Sequence, residues 1–191
     1  MKPLRKHDSP CFVEKVRAAV RIALPSQQPL EGFVSLAPTA EFHGGAETLL
    51  ERFNSGDRVI PVQRNGEKDV LLLNPHDIES VSSMSRTAQD LMAPEPFRIT
   101  HEERVRVIFM SGRQIEGVLR FALPDDLNRV SDYLNRDEDF FVLHTPGGTV
   151  LVNKRRVSTT RLYQQSPRPL QLVKDNAEAE PETPAGGEAG V

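Results

Sequence analysis

The stretch RVRVIFMSGRQIEGVLRF, residues 104–121, decides how this chain folds. Polar and apolar residues alternate over residues 104–109, which is the pattern of a strand with one buried face. Ser111-Gly112 is typical of a tight turn, and residues 114–121 return as a second strand. Gly117 lies inside that second strand, where a glycine indicates a bend or a close approach of another backbone. The stretch therefore predicts a bent antiparallel hairpin.

The same pattern occurs 85 residues earlier. Residues 12–37 align without a gap with residues 97–122, and seven of the 26 positions are identical. After short gaps the match resumes, pairing Phe53-Asn54 with Leu134-Asn135, Val70-Leu71-Leu72 with Val150-Leu151-Val152, and Asn74 with Asn153. We interpret the chain as a duplicated domain, with chance similarity between two β-rich stretches as the alternative.

Each copy is predicted to hold five strands. In the second copy, strands at residues 140–144 and 149–152 follow the first hairpin, and a last strand runs near residues 157–162. In the first copy, Asn65-Gly66 is a strong hairpin signal, and the last strand is expected near residues 78–81. The closing strand of each copy therefore follows a short polar turn.

A helical insert separates the second and third strands of each copy. Apolar residues at helical spacing predict one or two turns in each, carried by Leu49, Leu50 and Phe53 in the first copy and by Leu127, Val130 and Leu134 in the second. Asn128 is a candidate N-cap for the second insert. A further short helix is expected within residues 85–92.

The predicted fold class is mainly β, with two duplicated five-stranded small β-barrels. The first barrel spans residues 11–81 and the second spans residues 96–163, with a linker at residues 82–95. Residues 164–191 are expected to form a disordered, Pro-rich acidic tail. The segment 174–191 has one Lys and five acidic residues, and it lacks the apolar side chains needed to offset its ordering entropy.

Composition excludes several classes of protein. The chain has 191 residues and a formal net charge of −3, and it contains no apolar stretch long enough for a membrane helix. A single cysteine, Cys11, excludes an intramolecular disulfide framework and fits a reducing compartment. The first residues lack the apolar segment of a signal peptide. We therefore expect a cytoplasmic protein that does not contact a membrane.

Residues 105–121 resemble the opening of an Sm-like fold, in which a strand, a Gly-containing turn and a Gly-containing second strand end on an aromatic residue. The polar turns Asn74-Pro75-His76-Asp77 and Asn153-Lys154-Arg155-Arg156 resemble the close of that fold. Most of the second copy is also similar to a bacterial domain family of unknown function. The resemblance implies a small barrel of the Sm-like or SH3-like type. Asn153-Lys154 stands where RNA-binding members carry Arg-Gly, so the family's RNA pocket is not carried over.

No catalytic or metal-binding motif is present in the sequence. The five histidines lie apart from one another and from Cys11, at spacings that do not match those of zinc ligands. The glycine-rich stretches at residues 43–45 and 146–148 lack the lysine and helix of a phosphate-binding loop. We therefore expect a protein that is not an enzyme and that uses no cofactor.

Basic residues supply the candidate binding site. The second copy has eleven Lys and Arg against nine acidic residues, a net of +2, whereas the first has seven against ten, a net of −3. One basic patch could bind an acidic protein partner or the phosphates of RNA. Its candidate members are Lys154, Arg155, Arg156, Arg161, Arg104 and Arg106.

Two functional hypotheses follow from these features. The leading one is a non-catalytic protein-interaction or regulatory module that binds an unidentified protein partner at a sheet edge or groove. The alternative is an Sm-like protein that binds RNA through the basic patch of the second copy. The identity of the partner and the oligomeric state are not encoded in any recognisable pattern.

Overall fold

A computed structural model describes residues 15–94, 99–124 and 129–163. Cys11, Asn128 and the predicted tail at residues 164–191 lie outside the described residues. The first half of the described chain contains five strands: β1 (Val16–Ala23), β2 (Leu30–Leu36), β3 (Ile60–Arg64), β4 (Val70–Leu73) and β5 (Ser80–Ser83). The second half also contains five: β6 (His101–Phe109), β7 (Gln114–Phe121), β8 (Phe140–Thr145), β9 (Gly148–Asn153) and β10 (Val157–Leu162).

The strands form one antiparallel sheet with the order β10-β6-β7-β8-β9-β5-β1-β2-β3-β4. The prediction of a mainly β chain is therefore confirmed. The sheet is open, so the strand pairing does not form the two separately closed barrels that the sequence predicts. The physical reason is that β5, the last strand of the first half, pairs with β9 of the second half. This pairing joins the halves and leaves β4 and β10 as edges.

Both halves use the same strand order, with the fifth strand beside the first and the fourth strand at the far end. The β6–β7 hairpin pairs from His101 with Phe121 to Ile108 with Gln114, as the alternation of residues 104–121 predicts. Its inward residues, among them Val105, Val107 and Leu119, are fully buried. Burial of one face of each strand supplies the main stabilisation of such a sheet.

Gly32 and Gly117 occupy equivalent places in β2 and β7. A Cβ at Gly32 would lie 2.5 Å from the carbonyl oxygen of Gln63, and one at Gly117 would lie 2.5 Å from that of His144. Real Cβ atoms do not approach a carbonyl so closely, so the neighbouring strand can cross only where no side chain exists. The predicted close backbone approach is therefore confirmed in both halves.

Three five-residue helices lie within the described ranges: α1 (Leu49–Phe53), α2 (Arg86–Asp90) and α3 (Val130–Leu134). Helices α1 and α3 lie where helical spacing predicts a turn or two, and α2 lies within residues 85–92, where a further short helix is expected. Thr48 caps α1, because its hydroxyl accepts the backbone N–H of Glu51 while the Glu51 carboxylate accepts the N–H of Thr48. Ser85 caps α2, which begins within the predicted linker and packs Ala88 on the core of the first half.

The closing strands follow two matching 3-10 turns, Pro75–Asp77 and Lys154–Arg156. Asn74 and Asn153 begin these turns, and each side chain accepts a backbone N–H two residues ahead. The turn moves β5 two residues past its predicted start at residue 78. When the two halves are aligned on Asn74 and Asn153, Leu71–Leu73 correspond to Val150–Val152. This alignment differs by one residue from the one expected from the sequence, which paired residues 70–72 with residues 150–152.

Candidate functional site

The predicted basic residues form two separate groups. Lys154, Arg155 and Arg156 lie in the second 3-10 turn, whereas Arg104, Arg106 and Arg161 lie on β6 and β10. Arg161 is five residues beyond Arg156, which corresponds to roughly 16 Å along a strand. The sheet and the turn therefore present two small groups rather than one continuous patch.

Charges of the turn group are bound within the chain. The ammonium group of Lys154 donates to the carbonyl oxygen of Arg136, and the Nε of Arg155 donates to Asp139 at 2.7 Å. Partial burial lowers the pKa of Lys154 below its ordinary value, against the opposing pull of Glu138 and Asp139. These contacts leave the turn with less free positive charge than its sequence suggests.

The sheet group is organised around Tyr163 and Glu116. The guanidinium carbons of Arg104 and Arg106 lie 5.1 and 5.5 Å from the centre of the Tyr163 ring, within cation–π range. Arg106 also donates from Nε to Glu116 at 2.8 Å. Arg161 is the direct cross-strand neighbour of Arg106 and is exposed. Glu116 also lies 3.5 Å from Arg104, so it offsets part of the positive charge that the three arginines place beside the β10 edge.

The junction between β5 and β9 is the second feature with functional geometry. In its register Ser80 faces Val152 and Val81 faces Leu151. Leu151 and Phe140 of the second half are buried within the hydrophobic core of the first half, and the Phe140 ring lies 5.2 Å from that of Phe53. The two halves therefore share apolar packing as well as a strand ladder.

Two asparagine side chains form hydrogen bonds across this junction. Asn153 is fully buried, and its Nδ2 donates to the carbonyl oxygens of Pro75 at 3.0 Å and Ile78 at 2.8 Å. Asn54 ends α1, donates from Nδ2 to the Phe140 carbonyl and accepts the Phe140 N–H at 2.8 Å. Each amide thus satisfies backbone groups that the other half presents.

An ion pair completes the junction. Arg113, in the turn between β6 and β7, donates from Nε to Glu79 Oε2 at 2.9 Å and from its terminal nitrogen to Ser80 Oγ at 2.7 Å. The Glu79 side chain is almost fully buried, so the contact with Arg113 compensates for the loss of its contact with water. The guanidinium also lies 4.4 Å from the Phe109 ring. Sequence reasoning missed the contacts of Arg113 with Glu79 and Ser80, because these partners are 34 and 33 residues away along the chain.

The open edges carry exposed apolar side chains. On β4, Val70 is 55% exposed and Leu72 is 65% exposed, and on β10 Leu162 is 56% exposed. Apolar residues on an unpaired edge form a template for strand addition, and proteins usually cover or charge such edges. The run VLLL at residues 70–73, followed by a polar turn, was the available signal for the β4 edge.

Two clefts lie beside the junction. One, of about 710 Å³, is bounded by Phe42, Leu50, Asn54 and the acidic residues Glu41, Glu47, Glu51 and Glu138. The other, of about 360 Å³, lies between Met92, Tyr133, Val142 and His144. Partial burial, together with the nearby Arg120 guanidinium, lowers the pKa of His144. Neither lining contains a cysteine, and the Thr149 hydroxyl lies 3.4 Å from Nδ1 of His144.

Residues 15–94, 99–124 and 129–163 contain neither a group of possible metal ligands nor a helix of membrane-spanning length. Over these ranges no three His, Cys, Asp or Glu side chains are grouped so that they could hold a metal ion. The helices of the same ranges, at five residues each, fall far short of a membrane crossing.

Comparison with known proteins returned no match to a family model, to a curated protein or to a solved structure.

Proposed function

We propose that this chain is a non-catalytic protein-interaction module, built from two duplicated five-stranded copies of the Sm-like type, that binds extended segments at its open sheet edges. The observation that carries the proposal is the set of exposed apolar side chains on β4, where Val70 and Leu72 project from a strand whose outer side has no partner among the described residues. An added strand would gain main-chain hydrogen bonds and would cover these side chains.

Charge at the other edge supports selection of an acidic partner. Arg161 lies on β10 itself, and Arg104 and Arg106 lie on the adjacent strand. Opposite charges placed beside an edge steer association and fix register more than they add affinity. Lys154 and Arg155 contribute less to this steering, because Arg136 and Asp139 already bind them.

Photo-crosslinking in cells tests the proposal. Benzoylphenylalanine is placed at Leu72, at Leu162 or at Phe42, which is 84% exposed but lies in the loop between β2 and α1. We expect discrete products of higher mass from positions 72 and 162 and none from position 42. Equal labelling from all three positions, or no product from either edge, would overturn the proposal.

RNA binding is the second candidate, and the cluster of Arg104, Arg106 and Tyr163 favours it. An aromatic ring beside guanidinium groups is a common surface for stacked bases. The absorbance ratio at 260 and 280 nm of protein purified at low salt is a sensitive test, because the chain has two Tyr and no Trp. A high ratio that falls on RNase treatment and on addition of salt would favour RNA. A ratio typical of pure protein would exclude it.

A further inference from the structure

We propose that two adjoining clefts at the junction form one site for a small organic phosphate, with the phosphate in a polar cleft and its apolar body in an apolar cleft. The apolar cleft is the one of about 360 Å³ beside Met92, and the polar cleft, of about 640 Å³, opens next to it. Both are lined by Gln89, Arg120, His144 and Thr149, so they adjoin. The site lies apart from the open sheet edges and does not depend on the proposed function.

The β8–β9 hairpin forms one wall of the site. Phe140, Val142 and His144 alternate along β8 and therefore point to the same side of the sheet. Phe140 and Val142 pack on the core of the first half, and His144 continues that side of the strand into the clefts. Thr149 is directly opposite His144 on β9, so its side chain faces the same way.

The first half supplies another wall. Ser83 follows the last pair of the β5–β9 ladder, and α2 with the residues after it adds Arg86, Gln89 and Met92. The Ser83 hydroxyl donates to Gln89 Oε1 at 2.5 Å. This oxygen also packs against Gly148, where a Cβ would lie 2.8 Å away. The site is therefore built from both halves and is held together by Gln89.

The polar cleft is rich in positive charge and hydrogen-bond donors. Arg86, Arg120 and His144 line it, and the hydroxyl of Ser85 accepts the N–H of Ala88 while its own proton can be donated to a ligand. Among the described residues that line the two clefts, none is an aspartate or a glutamate. The cleft of about 710 Å³, by contrast, has four glutamates in its lining. A cleft lined by one sign of charge attracts ligands of the opposite sign, so an anion is expected here.

The two arginines keep donors for a ligand. Arg120 donates from Nε to Glu102 at 3.1 Å, and this ion pair does not use its two terminal nitrogens. Arg86 is exposed, and within the described ranges none of the ion pairs includes it. Burial and the Arg120 guanidinium lower the pKa of His144, against the pull of Glu102. The arginines would therefore supply the charge, and the neutral imidazole would donate one hydrogen bond.

The shape of the two clefts defines the chemical class of the ligand. A phosphate monoester has three terminal oxygens, so it can accept hydrogen bonds from both guanidinium groups and from the imidazole at once. The apolar cleft is bounded by Met92, Tyr133 and Val142, and its volume is at the lower end of the range for small-molecule sites. The ligand that fits both clefts is therefore a phosphate monoester of an aromatic ring or of a group of that size.

Titration of the full chain with phenyl phosphate, followed by two-dimensional NMR, tests the site. Phenyl phosphate carries both parts of the ligand, inorganic phosphate carries only the charge, and benzyl alcohol carries only the ring. We expect phenyl phosphate to shift the amide signals of residues 83–89 and 144–149 and to bind at least about tenfold more tightly than either fragment. Equal affinity for phenyl phosphate and inorganic phosphate, or shifts confined to other residues, would overturn the proposal. A phosphotyrosine peptide that binds more tightly than phenyl phosphate would overturn the assignment to a small molecule.

Removal of charge from the cleft gives an independent test. Arg120→Gln and Arg86→Gln should each weaken the binding of phenyl phosphate about tenfold, because each removes a charge-assisted hydrogen bond. Arg21→Gln is the matched control, since Arg21 also pairs with a glutamate of the neighbouring strand, Glu31, but lines neither cleft. Because Arg86 is exposed, its variant should keep the melting temperature of the wild type, which separates lost binding from lost folding. Unchanged affinity in both cleft variants, or an equal loss in Arg21→Gln, would contradict the site.

Discussion

The two halves of the sheet share a strand order but differ in how their ends are covered. The first half has β5 paired with β9, and its core is covered by Phe140 and Leu151 from the second half. The second half has no strand beside β10 within the described residues. The comparison shows that one kind of edge is completed inside the chain in the first half and has no partner strand among the described residues in the second half.

The largest difference in unfolding free energy is expected between alanine substitutions at Leu151 and at its counterpart Leu72. Leu151→Ala should lower the free energy of unfolding by about 2–5 kcal/mol, because a fully buried leucine leaves a cavity in the junction. Leu72→Ala should change it by less than about 0.5 kcal/mol in dilute solution, since that side chain is exposed. Urea unfolding of both variants measures the contrast. Similar losses would contradict the assignment of Leu72 to an open edge.

The matched asparagines give the next contrast. Asn153→Ala removes two donors from the buried carbonyls of Pro75 and Ile78 and should cost about 2–4 kcal/mol of unfolding free energy. Asn74→Ala loses only the cap of its turn, worth about 0.5–1 kcal/mol. Denaturant titration of the two variants measures both changes in unfolding free energy. An Asn74 variant as unstable as the Asn153 variant would show that Asn74 already has a buried role.

Gly32 and Gly117 test the likeness of the halves rather than their difference. Gly32→Ala and Gly117→Ala should each destabilise by about 1–3 kcal/mol, because the new methyl group would meet a carbonyl oxygen at 2.5 Å. Gly44→Ala is the control, since no atom lies within 4 Å of its Cβ position. Thermal unfolding ranks the three variants. A cost at only one of the two strand glycines would mean that the halves are built differently.

A histidine–carboxylate pair in the first half is expected to give a small pH effect on stability. The backbone carbonyl of Gly44 and the carboxylate of Glu51 raise the pKa of His43. For Glu51, hydrogen bonds from Thr48 and His43 outweigh burial and lower its pKa. The second half has no such pair among its described residues.

The His43 contribution is fully present below the ordinary histidine pKa and is lost as the pH rises through the raised value. The Glu51 contribution is present above its ordinary pKa and is lost as the pH falls through the lowered value. Between pH 6 and pH 8, the melting temperature of the wild-type protein should therefore fall slightly more than that of the His43→Gln variant. An equal change in melting temperature for the two proteins would show that the contact between His43 and Glu51 does not stabilise the fold.

Local pattern predicted most of the strands but little of the site. Alternation in residues 104–121 and the turn signals at Asn65-Gly66 and Gly147-Gly148 place both sets of hairpins, since those pairings are short-range. The pairing of β5 with β9 has no local signal, because Ser80 and Val152 come from different repeats. The asparagine pairs were visible as aligned residues, yet their role appears only when the other half is in place.

The basic candidates show a second limit of sequence reasoning. A run such as Lys154-Arg155-Arg156 indicates charge but not whether carbonyls and carboxylates nearby already bind it. Arg161 is the opposite case, because its place on an edge strand is set by the register with β6 and not by its neighbours in sequence.

Amide hydrogen exchange tests the central claim, that β4 and β10 are binding edges left open by the single chain. Exchange is followed in dilute wild-type protein, with the amides of the β5–β9 ladder as the internal reference. We predict that the amides of β4 and β10 that point away from β3 and β6 exchange rapidly, whereas the amides that join β5 to β9 exchange slowly. Exchange at the two edges that is as slow as exchange at the β5–β9 ladder would contradict the account.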